Sequence, residues 1–249
     1  ITNQKIAAQK TLEAELEHKK TEFLTEFITS ASHEFRTPIS VLNSASYLLT
    51  RITDPTKQGK YITQIIKQTE RLENLVNRML MMVDLDHMDN IECEMIRLDV
   101  LLQNAITHVQ SRHKTDDIEI QLLDNDTQIF AYCSETLLFL AMCELLKNAI
   151  DHTDGIHDGK ISLSYHYENT QPIITIADNG KGMLDETRDL IFQRFYREDK
   201  SHSISGFGLG LPIVKRIVDL QQGTISIDSQ LNIGTTFTIT LPDKDTLAQ

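Results

Sequence analysis

The sequence predicts an α+β protein in which a long helical hairpin precedes a sheet covered on one face by helices. Residues 1–83 contain no glycine except Gly59 and no proline except Pro38 and Pro55, a composition typical of long helices. Beyond residue 90, short apolar and β-branched runs alternate with helical patterns. Such interleaving is typical of one layer of strands packed against one layer of helices.

The hairpin is predicted from two series of apolar residues, over 24–49 and 62–83, that recur at alternating steps of four and three. This spacing is that of the a/d seam of packed helices. Between the series, Asp54-Pro55 indicates a turn that also starts the second helix. Because two helices form only a thin core, we expect two copies to bury both series in a homodimeric four-helix bundle.

The remainder is predicted to form a separate domain. Residues 84–90 are polar and acidic and are predicted to be a linker, so that the domains span 1–83 and 91–249. Strands are predicted at 92–97, 118–123, 160–167, 173–177, 223–228 and 235–241, and helices at 100–112, 135–152, 186–195 and 209–222.

The composition is that of an ordinary globular chain, with 40% hydrophobic and 24% charged residues among 249. A net charge of −12 argues against nucleic acid or an anionic membrane surface as the main partner. It does not exclude an anionic ligand, since backbone amides and a metal ion can bind phosphate. The three cysteines show no metal-like spacing. We expect reduced thiols in a reducing compartment.

A histidine beside a carboxylate marks the first predicted helix. His33 precedes Glu34, and Thr37 follows one turn later. The helical period places His33 opposite the apolar seam, so we expect it to face solvent. A neutral imidazole is a good nucleophile, a carboxylate can take up the released proton, and a threonine can orient a water for the reverse reaction. We predict a phosphoryl acceptor, with the helix bent after His33 by Pro38. A surface His-Glu pair without function is the alternative.

Two downstream motifs have the chemistry of a nucleotide site. Glu144 and Asn148 lie four residues apart on a predicted helix and would present oxygen ligands of the kind Mg²⁺ prefers. Asp178 ends an apolar strand, where a carboxylate can accept a hydrogen bond from an exocyclic amine such as that of adenine. Gly180 and Gly182 follow it and would let the backbone approach a flat base.

A third motif places glycines at steps of two, Gly206, Gly208 and Gly210, before an apolar helix. Their amides can cradle phosphate at a helix N-terminus. The motif is neither the dinucleotide fingerprint nor a P-loop. Residues 197–205 are predicted to form a mobile lid with Arg197 and Lys200 as phosphate partners. Each motif alone is also typical of an ordinary turn or helix face; their combination and order favour a nucleotide pocket.

Together these motifs resemble those of the sensor histidine kinases of two-component systems. The similarity covers nearly the whole chain: 32–38 resembles the H box, 144–148 the N box, 178–182 the G1 box, 192–197 the F box and 206–210 the G2 box. The resemblance implies a HisKA-type dimerisation and phosphotransfer hairpin over 1–83. It also implies a Bergerat-type (GHKL) α/β sandwich that binds ATP over 91–249.

The resemblance further implies roles for single residues. His33 would be phosphorylated on Nε2, Asn148 and Glu144 would bind Mg²⁺, and Asp178 would recognise adenine. Asp151 departs from the pattern, because many members carry Lys or Arg there; Lys147 or His152 is expected to compensate. The predicted nucleotide site comprises Glu144, Lys147, Asn148, His152, Asp178, Gly180, Gly182, Phe195, Arg197, Lys200, Gly206, Gly208, Leu209 and Gly210.

The predicted function is that of an ATP- and Mg²⁺-dependent protein-histidine kinase. It would phosphorylate its own His33, pass the phosphoryl group to an Asp of a response regulator and, through Thr37, act as a phosphatase toward it. The fragment is expected to be cytoplasmic and free of membrane contact. Its opening on Ile1 indicates a piece of a longer protein, expected to be a membrane-bound sensor. A non-kinase ATPase of the same fold and a catalytically degenerate dimeric scaffold are the alternatives.

Overall fold

The computed structural model describes residues 2–113, 115, 117–123, 128–197 and 207–243, with side chains from Thr25 onward except that of Glu26. The chain divides into two compact units, Ile1–Arg78 and Met79–Gln249. Among the described residues, none of the helices combines the length and hydrophobicity needed to cross a bilayer.

The first unit is the predicted helical hairpin. Helix α1 spans Thr2–Leu49 and continues through Pro38, and α2 spans Pro55–His87, its residues from Met79 onward lying in the second unit. The amide of Thr56 donates to Asp54 Oδ1 at 2.9 Å, so Asp54 caps the start of α2 as the turn signal predicts.

The buried face of the hairpin differs from the predicted seam. Ala31 and Ala45 are buried as expected, but Ile28, Ile62 and Val76 are 63%, 46% and 41% exposed. Two helices have too little facing surface to cover both apolar series, so part of each series remains exposed on a single chain.

Helix α2 also runs further than predicted. It ends at His87, four residues beyond the expected end at 83 and inside the predicted linker 84–90. The polar composition of this stretch suggested a linker, but Leu85 within it is only 2% exposed. Burial of this side chain stabilises an additional helical turn.

The second unit contains a five-stranded sheet and a two-stranded ribbon. The strands are β1 Glu94–Arg97, β2 Ile118–Leu122, β3 Phe130–Cys133, β4 Gly159–Glu168, β5 Gln171–Asp178, β6 Thr224–Gln230 and β7 Gly234–Thr240. The sheet order is β2-β4-β5-β7-β6, in which only the β2–β4 pair is parallel among the described strands. Strands β1 and β3 form the antiparallel ribbon.

Three helices pack on this sheet: α3 Leu98–Gln110, α4 Glu135–Thr153 and α5 Gly210–Leu220. Their apolar faces are fully buried, with Leu102, Leu146 and Ile213 each 0% exposed. The predicted layer of helices on a sheet is confirmed. The strand order places β5 in the centre of the sheet, and β5 ends at Asp178.

Two local predictions were wrong. The helix predicted at 186–195 is a single 3₁₀ turn, Asp185–Thr187, followed by successive turns to Phe195. In these turns Leu190 and Gln193 donate to carbonyls three residues back, and Phe195 has φ of 62°, which no α-helix accommodates. Strand β3 was missed because four residues carry little periodicity; its pairing with β1 defines it.

Candidate active site

Asp178 lies at the centre of the candidate nucleotide site, at the end of the middle strand. Its Oδ1 accepts a hydrogen bond from the Gly180 amide at 2.9 Å. Burial raises the pKa of Asp178 to about 6, although hydrogen bonds from the backbone amides of Gly180 and Thr235 act in the opposite direction. The site therefore holds a half-buried carboxyl group that can accept a hydrogen bond from a ligand.

The loop after Asp178 is packed against the end of helix α4. The Lys181 amide donates to the His152 carbonyl at 3.2 Å. A Cβ on Gly180 would lie 2.8 Å from the same carbonyl oxygen and 2.6 Å from Asp178 Oδ1. Glycine at 180 is therefore required by neighbouring protein atoms, whereas the sequence argument ascribed it to a flat base.

The other side of this loop contacts the turn between β6 and β7. Gly182 has φ of 60°, and a Cβ there would overlap the carbonyl oxygen of Gln230. The amide of Asn232 donates to the Lys181 carbonyl at 2.7 Å. The loop is thus confined between α4 and the β6–β7 turn, which fixes the position of Asp178.

Helix α4, whose end at His152 contacts this loop, also carries a polar face. Glu144, Lys147 and Asn148 are half-buried, whereas their neighbours Leu145 and Leu146 are buried. Burial, and secondarily the positive charge of Lys181, lowers the pKa of His152, so its imidazole favours the neutral form. Among the described residues no three His, Cys, Asp or Glu side chains cluster as metal ligands. The carboxylate and amide oxygens of Glu144 and Asn148 fit a Mg²⁺ site that needs only one or two protein ligands.

The F-box and G2-box segments are in direct backbone contact. The Phe195 amide donates to the Gly208 carbonyl at 2.8 Å, and Gly208 has φ of 66° with no room for a Cβ beside Phe195 and Tyr196. Helix α5 begins at Gly210, and the side chain of its N-cap, Leu209, makes no capping hydrogen bond.

The predicted lid is only partly described. Arg197 is half-buried. Lys200 and Gly206 lie outside the described residues, as do all residues of the predicted lid after Arg197.

The predicted acceptor lies on α1 in the first unit. His33 is exposed and Thr37 half-buried, in agreement with the helical period. Glu34 Oε2 is buried and accepts no hydrogen bond from the described residues, and it lies 3.9 Å from Arg71 Nη2 of α2. The carboxylate next to the histidine thus lies within ion-pair distance of the second helix of the hairpin.

Two family models match the chain. Residues 23–87 match the His Kinase A (phospho-acceptor) domain, and residues 133–245 match the Histidine kinase-, DNA gyrase B-, and HSP90-like ATPase family. The chain belongs to the sensor histidine kinases. The ATPase match identifies the second unit of this histidine kinase as an ATP-binding domain.

Similar proteins support this assignment. The heme sensor protein HssS of Staphylococcus saprophyticus is 36% identical over 217 residues, which cover 86% of this chain and 45% of that protein. The HssS of Staphylococcus aureus is 31% identical over 218 residues, which cover 87% of this chain and 46% of that protein. The kinase chain thus spans about half the length of the curated relatives it matches.

Solved structures show the same fold at lower identity. The histidine kinase AdeS of Acinetobacter baumannii has a TM-score of 0.66 at 22% identity and covers 85% of this chain and 98% of its own. The histidine kinase ThkA, solved in complex with the response regulator protein TrrA, has a TM-score of 0.75 at 22% identity. The match covers 92% of this chain and 64% of the ThkA chain.

Sequence reasoning missed residues that support the candidate nucleotide site and the candidate acceptor. Ser229 is 2% exposed. Its Oγ accepts from the Met183 amide at 3.1 Å and lies 3.0 Å from the Gly234 carbonyl, to which it can donate. The Arg188 guanidinium donates to the Ser229 carbonyl. A serine in a strand has no distinctive pattern in the sequence. Arg71 was also missed, because its partner Glu34 lies on the other helix and the sequence does not show which residues of two helices meet.

Proposed function

We propose that this chain is an ATP-dependent protein-histidine kinase that phosphorylates His33 and passes the phosphoryl group to an aspartate of a response regulator. One observation carries the proposal: an exposed histidine adjoins a carboxylate on a helical hairpin, in the same chain as an ATPase-family domain with a half-buried carboxyl group of raised pKa at its central strand. Such a domain can supply ATP, and the histidine can accept its γ-phosphoryl group.

In this proposal each residue of the nucleotide site has a role. Asp178 accepts a hydrogen bond from the exocyclic amine of adenine. The backbone amides from Gly208 to Gly210 and the cations Lys147 and Arg197 bind the phosphates. Glu144 and Asn148 hold Mg²⁺, which neutralises phosphate charge when it is bound. We extend this set to His152, Gly180, Gly182, Phe195 and Leu209, which shape the pocket.

In the acceptor, Nε2 of neutral His33 attacks the γ-phosphorus of ATP. An N–P bond forms, the bond from phosphorus to the β-phosphate oxygen breaks, and ADP leaves. Glu34 accepts the proton from Nδ1, and the Arg71 guanidinium lies 3.9 Å from its carboxylate. In a separate hydrolytic reaction, Thr37 orients a water toward the phosphorylated aspartate of the regulator. The water oxygen bonds to phosphorus, the bond from phosphorus to the aspartate oxygen breaks, and inorganic phosphate leaves.

We also propose that the hairpin forms a homodimer. In the first unit, Ile28, Ile39, Tyr47, Ile62 and Ile66 are exposed apolar side chains on the hairpin. A second copy of the hairpin would bury them in a four-helix bundle. Light scattering should then give twice the chain mass of 28.4 kDa; a monomeric mass at micromolar concentration would refute the dimer.

The partner we propose is the receiver domain of a response regulator, as in the complex of ThkA with TrrA. We place the phosphotransfer domain in the hairpin and the catalytic domain in 91–249, within a longer membrane-bound sensor whose fragment here is cytoplasmic. Nucleic acid is not an expected partner of a chain with net charge −12.

Labelling with ATP tests the kinase proposal. Incubation with γ-labelled ATP and Mg²⁺ should give a chain whose label is lost in acid and retained in base, as expected of a phosphoramidate. Addition of purified response regulators should move the label to one of them. Steady phosphate release without a labelled chain would favour the non-kinase ATPase. The absence of nucleotide binding in calorimetry would favour the degenerate scaffold.

Nucleotide affinity should depend on the ionisation of Asp178. The pKa of Asp178, raised to about 6 by burial, means that the carboxylate acceptor is present above that pH and is lost as the pH falls through it. Below pH 6 the affinity for ADP should therefore decrease, by up to about tenfold per pH unit.

The control is Asp178→Asn, which cannot titrate at this position. Dividing the wild-type affinity by that of Asp178→Asn at each pH removes the titration of the ADP phosphates. The ratio should fall between pH 7 and pH 5. A constant ratio would contradict adenine recognition by Asp178.

A further inference from the structure

Two arginines attach the end of helix α2 to the nucleotide-binding domain. Arg194 Nη2 donates to both carboxylate oxygens of Asp86, at 2.8 and 2.7 Å. Arg216 Nε donates to the Leu85 carbonyl at 3.0 Å, and its Nη2 donates to that of Met88 at 3.2 Å. All five residues belong to the second unit. We name the group Asp86, Arg194 and Arg216 the Asp86 clamp.

The clamp is stronger than an ordinary surface ion pair. The Arg194 side chain is only 18% exposed and that of Asp86 32%, so the pair is partly shielded from solvent and salt. Arg216 places its positive charge on the last carbonyls of α2, where a cation is favoured by the helix dipole. Two separate guanidinium groups thus hold the same turn of α2.

Phe195 connects the clamp to Gly208 of the G2-box segment. Phe195 directly follows Arg194, has φ of 62°, and donates its amide hydrogen to the Gly208 carbonyl at 2.8 Å. Gly208 has no room for a Cβ against the Phe195 backbone. Because these backbones are in direct contact, we expect a displacement of Arg194 to shift Phe195 and, through their hydrogen bond, Gly208.

Arg216 provides a second connection between the end of α2 and the G2-box region, through helix α5. It lies on α5, which begins at Gly210, so its hydrogen bonds to the Leu85 and Met88 carbonyls connect this helix to the end of α2. The described residues Phe195 and Gly208 are therefore flanked in the chain by two arginines, Arg194 and Arg216, that both bind the end of α2.

We propose that Asp86 is a positioning residue for nucleotide binding: by holding Arg194 it keeps Phe195 and Gly208 in the conformation that binds the phosphates. This inference rests on the proposed function, because it concerns the same nucleotide site. Asp86 itself does not contact the nucleotide. It sets the nucleotide affinity through the backbone contact between the two segments.

The test is ADP affinity, measured by calorimetry on the whole chain with Mg²⁺ present. Asp86→Ala should weaken ADP binding about tenfold, the size of effect expected of a residue that acts through its neighbours. Asp86→Asn, which keeps the volume and removes the charge, should give a similar loss, and Asp86→Glu should restore most of the affinity. In a double-mutant cycle, the combined loss in Asp86→Ala with Arg194→Ala should be smaller than the sum of the two single losses, since both variants remove the Asp86–Arg194 pair.

The matched control is Asp219→Ala. It breaks the 2.7 Å ion pair between Lys215 and Asp219 on α5, whose side chains are both 42% exposed. Such a pair contributes little, so ADP affinity should stay within about twofold of the wild type.

A second readout separates positioning from simple destabilisation. Amide hydrogen exchange at Phe195 should accelerate in Asp86→Asn at a temperature where circular dichroism shows a folded chain. Unchanged ADP affinity in Asp86→Ala and Asp86→Asn, with or without a lower melting temperature, would overturn the inference. A wild-type chain that binds no ADP would overturn the proposed function, and the inference with it.

Discussion

Replacing His33 with glutamine should reduce the acid-labile label from γ-labelled ATP to background, a loss on the order of 1000-fold or more, because no other nucleophile occupies the acceptor position. Glutamine keeps the polarity and approximate length of the side chain but has no nucleophilic nitrogen. His33 is exposed on α1, so its replacement should leave helix content and melting temperature unchanged. ADP affinity should also be unchanged, because the predicted nucleotide residues lie in the second unit.

The matched control for this prediction is His166→Gln. His166 is an exposed histidine on β4, and its replacement should leave labelling at the wild-type level. Glu34→Gln should fall between the two, since it removes the proton acceptor but leaves the nucleophile. A label that persists in His33→Gln would refute His33 as the acceptor, and an equal loss in His166→Gln would show that histidine replacement acts through the fold.

The second large effect is expected at Gly182. Gly182→Ala places a Cβ on a residue with φ of 60°, in overlap with the Gln230 carbonyl oxygen. The left-handed conformation alone costs about 1–2 kcal/mol with a side chain. Displacement of the β6–β7 turn brings the expected loss of folding free energy to about 3–5 kcal/mol.

Gly182→Ala should weaken ADP binding as well as destabilise the fold. The loop from Asp178 to Met183 is confined between α4 and the β6–β7 turn, so a shift at Gly182 moves Asp178. A displacement of about 1 Å can cost on the order of 100-fold in a positioned interaction. ADP affinity, measured by calorimetry below the melting temperature of the variant, should fall by at least that order.

Gly59→Ala is the control for this prediction. Gly59 lies in α2, and a Cβ added to it would meet no neighbouring atom within 4 Å. Alanine there should stabilise the helix by about 0.5–1 kcal/mol and leave ADP affinity unchanged. Thermal unfolding that shows no difference between Gly182→Ala and wild type would contradict the close packing of the loop.

Several features were predictable because they depend on local patterns. The steps of four and three over 24–49 and 62–83 indicated the hairpin, and Asp54-Pro55 marked the start of its second helix. The apolar run before Asp178 indicated the strand that proved central. In each case neighbouring residues suffice, since helix and strand periods are properties of short segments.

Other features depended on residues distant in the sequence. The stretch 186–195 has an amphipathic composition, yet Phe195 is held in a positive-φ conformation with its amide bonded to Gly208. Helix α2 continues to His87 where the composition suggested a linker. Tertiary contacts decided both cases, and they overrode the local preference by burial and by long-range hydrogen bonds.

The order of elements, the histidine beside its carboxylate and the glycine-containing loops follow from the order of the residues alone, because period, capping and backbone freedom act over a few positions. The partners of these residues do not. Arg71 beside Glu34, Ser229 beneath the loop and Asp86 against Arg194 come together only when helices and strands pack. A charged or hydroxyl side chain has the same appearance in a sequence whether it faces solvent or a partner a hundred residues away, and packing alone distinguishes the two.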